Sequence, residues 1–228
     1  MGLSRKFDDR AGQPTPRGPG TTPRAARFGK AFALIGPRMD ARGAAEHRRE
    51  LVAPASGIVV EVGAGYGATF PFYPPAVQRV LALEPDATLH AIAAIAALDA
   101  PVPIVVQSGR AEAIPVEDGS VDTVVASLVL CSVADQAVAL AEIMRVLTPG
   151  GRLLFYEHVR SSHPVRGRIE DALTPVWGAV AGGCHPNRDT LGALTDAGLL
   201  VTEQHRFAFS ALPGTPRVAH VRGIARKG

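Results

Sequence analysis

The sequence predicts an α/β fold in which helices cover both faces of a mostly parallel sheet. Two observations carry this. Short apolar runs alternate with helical patterns from residue 57 to residue 157, the order that builds successive βα units. The first run, Ile58-Val-Val-Glu-Val-Gly-Ala-Gly-Tyr-Gly67, stops at three glycines alternating with other residues. Glycine lets a backbone turn sharply and approach a ligand where a Cβ would collide, so this turn points to a flat nucleoside-bearing cofactor. The next run, Arg79-Val-Leu-Ala-Leu-Glu84, ends on an acid at about the twenty-residue distance expected of a group gripping ribose hydroxyls.

The elements follow in order. Residues 1 to 25 are rich in Gly, Pro, Thr and Arg, cannot bury enough surface to offset ordering entropy, and are expected to form a disordered basic tail. Residues 26 to 228 are read as one domain. Within it Phe28 to Val52, with Glu46, Arg48 and Glu50 among apolar positions, suggest one or two helices that form a lid over the sheet. Strands are expected near 57–62, 79–84, 102–106, 121–127 and 151–157, with helices near 86–98 and 134–147. Pro149-Gly150-Gly151 should end the second helix and turn the chain into a strand. The last third carries a helix near 165–180, a loop around Gly182 to Asn187, a short helix from Asp189, and two strands near 199–208 and 217–225.

Composition excludes several function classes. Of the formal charge of +3, seven basic residues against Asp8 and Asp9 put +5 before residue 31 and leave −2 on the rest. The folded part therefore lacks the positive excess that phosphate-backbone binding needs, which argues against nucleic acid. Arginine outnumbers lysine 21 to 3, a bias assigned no function. Only Cys131 and Cys184 are present, without CxxC spacing, so neither a disulfide framework nor a zinc site is indicated and a reducing cytoplasm fits. No stretch approaches the roughly eighteen apolar residues of a membrane span, so no membrane anchor is expected. Met1-Gly2 fails the myristoylation pattern because position 6 is lysine.

Gly63, Gly65 and Ala68, with Glu84 as the ribose acid, also satisfy a relaxed dinucleotide fingerprint, which keeps an NAD-dependent oxidoreductase in view. Three further segments favour S-adenosylmethionine: Glu61-Val-Gly-Ala-Gly-Tyr-Gly67; Ser108-Gly-Arg-Ala-Glu-Ala-Ile-Pro115 with Asp118 to Asp122; and Val146-Leu-Thr-Pro-Gly-Gly151. In that order and spacing the chain resembles the class I S-adenosylmethionine-dependent methyltransferases over about residues 55 to 160. Thr69-Phe-Pro-Phe-Tyr-Pro-Pro75, Ser127-Leu-Val-Leu-Cys-Ser-Val133, Phe155-Tyr-Glu-His-Val159 and Pro175-Val-Trp-Gly-Ala-Val-Ala-Gly-Gly-Cys184, then Arg188-Asp-Thr190, look like the branch containing the animal alkyl-thiol methyltransferases. The resemblance implies a seven-stranded, Rossmann-like three-layer sandwich. It also implies methyl transfer to a small-molecule acceptor, with a thiol or sulfide first. O-, N- or C-methylation of a phenolic, quinone-like or secondary metabolite is the enzyme alternative, and a non-catalytic cofactor-binding protein the alternative of another class.

The resemblance also distributes roles. The turn Gly63, Ala64, Gly65 to Gly67 passes beneath the methionine part of the cofactor, its N–H groups facing the carboxylate, and Glu61 favours the ammonium end. Thr69 stands where the animal branch usually has Asn, and a hydroxyl replaces only one of the amide's hydrogen bonds. Glu84, followed by Pro85, accepts both ribose hydroxyls. Arg110 stands where many members have an Asp for the adenine amine; as a donor only, it cannot accept from that amine. Adenine recognition then leans on the backbone of Ala111 and Glu112, with Arg110 over the ring or pointing to solvent. Ser127, Leu128 and Val129 line the methyl-transfer site at the end of the fourth strand.

His158, just past the fifth strand, is the catalytic candidate: it can accept a proton or orient the acceptor, the alternative being a structural histidine bonded to a carbonyl. Trp177 is read as an anchor of the late helix, and the Cys184-His185 segment as a loop stabilised by Arg188. A metal site drawing on His158, Cys184 and His185 would need a sequence-distant convergence that nothing in the spacing argues for.

Overall fold

The computed structural model describes residues 23–211 and 213–228. The tail expected over residues 1 to 25 lies outside the described residues up to position 22, and Pro23 already opens a helix. Seven strands form one sheet: β1 (Gly57–Val62), β2 (Val77–Leu83), β3 (Ile104–Gln107), β4 (Val121–Ser127), β5 (Leu147–His158), β6 (Leu199–Phe209) and β7 (Val218–Lys227). The spatial order is β3-β2-β1-β4-β5-β7-β6. Every pairing is parallel except the two made by β7. The order reverses between β1 and β4, the switch point where open α/β sheets hold ligands beyond the carboxyl ends of their strands.

The side-chain alternation of the central strands divides the core in two, because successive residues point to opposite faces. Val60, Val62, Val124, Ala126, Leu153 and Phe155 face one cluster. Helix α4 (Gln136–Val146) and helix α6 (Thr190–Asp196) supply Leu140, Ile143 and Leu194 to it. Val59, Val125, Leu154 and Tyr156 face the other cluster with Leu51, Val52 and Ala93, from α2 (Ala45–Val52) and α3 (Ala87–Ala96). Helices α3 and α4 start where Asp86 and Asp135 accept hydrogen bonds from two backbone N–H groups each, the N-cap role suited to a short carboxylate.

One difference from the sequence expectation has a simple cause. β5 begins at Leu147, not 151: Leu147 is already extended and pairs with Val121, the Thr148–Gly151 segment bulges, and pairing resumes at Arg152 with Thr123. The helical segment before the sheet is two helices, within the one or two expected. Helix α1 (Pro23–Met39) passes through a π-turn at Asp40–Ala44, where Gly43 takes a φ of 115° before α2.

α1 lies over the glycine turn. Phe28 and Phe32 stack at 5.5 Å, Phe32 packs against Tyr66, and Gly36 leaves room for the Tyr66 ring. Asp40 ties this region together by accepting from Arg48 and from the Tyr66 hydroxyl. α5 (Pro164–Val180) completes the helices. Among the described residues no helix is long and apolar enough to cross a membrane.

Candidate active site

The ends of β1 and β2 meet as expected. Gly63, Gly65 and Gly67 all have φ between 60° and 83°, the left-handed region that costs glycine least. A Cβ on Gly63 would stand 2.5 Å from Val129 Cγ2, so this glycine is needed for the β1 and β4 loops to close on each other. Gly65 donates its N–H to Glu84 Oε2 at 2.8 Å, and Asp86 donates to Oε1 at 2.8 Å. Each carboxylate oxygen keeps lone-pair capacity, so Glu84 is anchored without being saturated. Burial raises its pKa to about 7, its backbone partners opposing the shift.

Glu61 is 1% exposed and accepts from Thr69 Oγ1 at 2.7 and 2.8 Å and from the Tyr73 hydroxyl at 2.8 Å. Burial raises it to about 7 as well. Thr69 therefore commits its hydroxyl to Glu61. Ala64 is buried and Pro85 exposed. Arg110 is exposed and pairs with Glu112 at 3.4 Å, while Ala111 is buried and Glu112 also accepts from the Ala134 N–H.

The cofactor fits these residues. A Cβ added at Gly65 would find only Phe32, at 3.5 Å, which leaves the turn open to a close-lying ligand. Ser127 Oγ is buried without a hydrogen-bond partner at the switch point, a polar atom for which a ligand would supply the missing partner. Ribose hydroxyls would donate to the ionised form of Glu84, whose population falls as pH drops through about 7. Cofactor affinity measured by calorimetry is therefore expected to weaken as pH falls from 7.5 to 6, through Glu84 and through Glu61, and Glu84→Gln should make that dependence shallower by its own share. An unchanged slope in the variant would remove Glu84 from the ribose site.

The loop after β4 is held by a group that the sequence reading passed over. Glu157, 0% exposed, accepts from the N–H groups of Val129 at 3.0 Å, Leu130 at 2.9 Å and Cys131 at 3.0 Å. Burial pushes its pKa well up, the three N–H groups opposing that shift. Arg188 closes the loop from the other side, donating to the Leu130 carbonyl at 2.7 Å and the Val133 carbonyl at 2.9 Å. Leu128 sits at φ 60° and donates its N–H to the Tyr156 carbonyl. The signal available in the sequence was an acid inside a run buried on both faces, which is rare without partners.

Among the described residues no carbonyl is hydrogen-bonded to the His158 ring. Its Nδ1 lies 3.5 Å from Cys131 Sγ and 3.4 Å from Cys184 Sγ, and the two sulfurs are 3.6 Å apart. The distant convergence that spacing gave no reason to expect is present, with Cys131 in the place considered for His185, which instead donates its N–H to the Cys131 carbonyl at 2.7 Å. The thiols ionise unequally. The hydrogen bond between them, with burial, pushes Cys131 up to about 12, and the same bond lowers Cys184. Burial alone would lower His158, but the contact and charge of Cys131 outweigh it and its pKa rises. The His220 ring lies tilted against that of His158, with centroids 4.4 Å apart, and its pKa is driven down to about 2 by burial and then by the His158 charge, so it stays neutral. Trp177 is half-buried, and its Nε1 is buried without a hydrogen-bond partner among the described residues.

Comparison with known proteins agrees with this geometry. The methyltransferase domain family matches residues 60–155. Human thiol S-methyltransferase TMT1A is 37% identical over 156 residues, 65% of this chain and 63% of that relative, so the matched part falls just short of two thirds of its length. Human thiol S-methyltransferase TMT1B is 32% identical over 195 residues, 79% of this chain and 78% of the relative. Among solved structures, an S-adenosylmethionine-dependent methyltransferase of Thermotoga maritima superposes with a TM-score of 0.66 at 21% identity, covering 90% of this chain and all of that one. The cofactor is thus S-adenosylmethionine rather than a dinucleotide, and the chain belongs to the S-adenosylmethionine-dependent methyltransferase family that includes the thiol S-methyltransferases.

Proposed function

We propose that the chain methylates the sulfur of a small thiol or sulfide. The observation that carries this reading is the similarity to a human thiol S-methyltransferase along 78% of that protein's length. When bound, S-adenosylmethionine supplies a methyl group already activated on a sulfonium. The remaining work is to align acceptor and methyl in a water-poor crevice, and orientation of this kind supplies roughly 7 to 11 kcal/mol. A thiol with a reference pKa near 8.5 is partly ionised at neutral pH, so little base assistance is required. The acceptor sulfur forms its bond to the methyl carbon as the carbon–sulfonium bond breaks, and the thiol proton leaves to solvent.

Gly63, Ala64, Gly65, Gly67 and Glu61 hold the amino-acid end in this reading, with Thr69 positioning Glu61 through its hydroxyl. Glu84 with Pro85 holds the ribose, Arg110, Ala111 and Glu112 the adenine, and Ser127 to Val129 the transfer site. The helices α1 and α2 act as a lid: Phe32 over Gly65 is placed to exclude water once the crevice is filled. The free thiols of Cys131 and Cys184 support a reducing, cytoplasmic setting.

Incubation with methyl-deuterated S-adenosylmethionine and matched sulfide, alkyl thiols, phenols and amines tests the acceptor by mass spectrometry. Labelled methyl thioethers or methanethiol are expected; label confined to oxygen, nitrogen or carbon products would overturn the thiol assignment. His158→Ala should leave cofactor affinity within about twofold while lowering turnover about tenfold or more, on the scale of groups that position a reacting centre. Unchanged turnover would show that His158 serves only the fold.

A further inference from the structure

Cys131, His158 and Cys184 come from three separate places: the loop after β4, the last residue of β5, and the loop between α5 and α6. Both cysteines are buried, at 0% and 4% exposure. The three donor atoms converge on one point and form a nearly equilateral triangle with edges of 3.6, 3.5 and 3.4 Å. A tetrahedral zinc ion with bonds of about 2.3 Å to sulfur and about 2.05 Å to nitrogen requires edges of about 3.8 Å between sulfurs and about 3.5 Å between sulfur and nitrogen. The observed triangle is one face of that tetrahedron within about 0.2 Å. A disulfide would need the sulfurs at about 2.05 Å, and a hydrogen-bonded trio would not need equal edges.

We propose that Cys131 Sγ, Cys184 Sγ and His158 Nδ1 bind a zinc ion whose fourth position takes the thiolate of the acceptor. Two thiolates and a neutral imidazole balance the charge of Zn²⁺, which makes the ion compatible with so buried a place, and soft donors of this kind select zinc over magnesium or calcium. Three protein ligands with an exchangeable fourth is the arrangement of zinc sites that act on substrates. The neighbouring Ser132 hydroxyl, 3.5 Å from Cys131 Sγ, is neutral and offers no anionic competition. A thiol entering that position loses its proton to solvent on coordination. Its sulfur then donates an electron pair to the methyl carbon of S-adenosylmethionine as the carbon–sulfonium bond breaks and its electron pair returns to the departing S-adenosylhomocysteine sulfur, and the neutral thioether formed is a weak ligand that leaves. The positions of the donors follow from the fold: Glu157 fixes the Cys131 N–H at 3.0 Å, and His185 holds the Cys131 carbonyl.

This inference rests on the thiol reading, and one preparation separates the two. The full chain, kept reduced with a phosphine, is stripped with a chelator and titrated with Co²⁺. One equivalent is expected, with a thiolate-to-cobalt charge-transfer band and the intense visible bands of tetrahedral cobalt. Adding a small monothiol should shift the visible bands. Cys184→Ser should weaken the charge-transfer band and Cys131→Ser should do the same, with circular dichroism confirming the fold; if one variant fails to fold, the wild-type titration still decides. Zinc removal should lower labelled-methyl transfer to the thiol about tenfold or more, and zinc return should restore it. A reduced, folded wild type that binds neither cobalt nor zinc overturns the site, and labelled thioether from that same sample would show that the thiol reading survives it. Bound cobalt whose bands ignore the thiol overturns the fourth-position assignment.

Discussion

Glu84→Ala is expected to weaken S-adenosylmethionine or S-adenosylhomocysteine binding about a hundredfold. Two hydroxyl donors to an ionised carboxylate contribute roughly 1.5 to 3 kcal/mol each. The lower figures sum to about 3 kcal/mol, and at pH 7.5 the partial protonation of a group with pKa about 7 removes only about 0.2 kcal/mol of it, which leaves roughly two decades in Kd. The effect is compounded because the Gly65 and Asp86 N–H groups lose their acceptor and the glycine turn loses its tie to β2. Glu84→Gln retains one acceptor oxygen and should fall between. Calorimetric titration at pH 7.5 decides the matter: a Kd for the alanine variant within about threefold of wild type is incompatible with bidentate ribose binding.

Glu157→Ala should be the most damaging change to the fold that leaves the glycine turn untouched. Three backbone N–H groups lose their partner, each costing roughly 1 to 3 kcal/mol when buried. Removing a carboxylate whose burial is itself unfavourable offsets part of that, which leaves about 3 kcal/mol net. In a domain of this size that is a fall of about 6 to 12 °C in Tm. Glu157→Gln should cost about half, since an amide offers one acceptor oxygen for three donors. Thermal unfolding read by circular dichroism distinguishes the outcomes. A drop below about 2 °C for the alanine variant would mean that the Arg188 contacts to Leu130 and Val133 suffice to hold the loop.

What could be read from the sequence depended on how local the cause was. β1 and its glycine turn were legible because Ile58 to Val62 and Gly63 to Gly67 carry both the strand and the close approach in one continuous stretch. Glu84 was legible because a parallel βα unit fixes the distance between successive strand ends. The role of Glu157 depends on the neighbouring β4 loop, 26 to 28 residues away in the chain, and no local period records that partnership. The Cys131–Cys184 approach spans 53 residues and exists because the loop after α5 docks on the loop after β4 through His185 and Arg188, whereas CxxC reasoning looks only for neighbours in sequence. Thr69 shows the opposite case: its hydroxyl, expected to face the cofactor, is taken by the buried acid of β1.

Leu128 at φ 60° limits how this active site can change over time or be redesigned. A leucine held there costs roughly 1 to 2 kcal/mol, and a β-branched residue at that angle would be a severe outlier. Valine, isoleucine and threonine, the common residues of strand ends, are therefore closed to this position, while glycine, asparagine and aspartate remain open. If residues 127–129 line the transfer site as proposed, Ser127 and Val129 on either side are the positions of that strand end open to change, Val129 only with regard to its fit against Gly63. Variants made to broaden acceptor range at this strand end should diversify those flanks and leave the pivot.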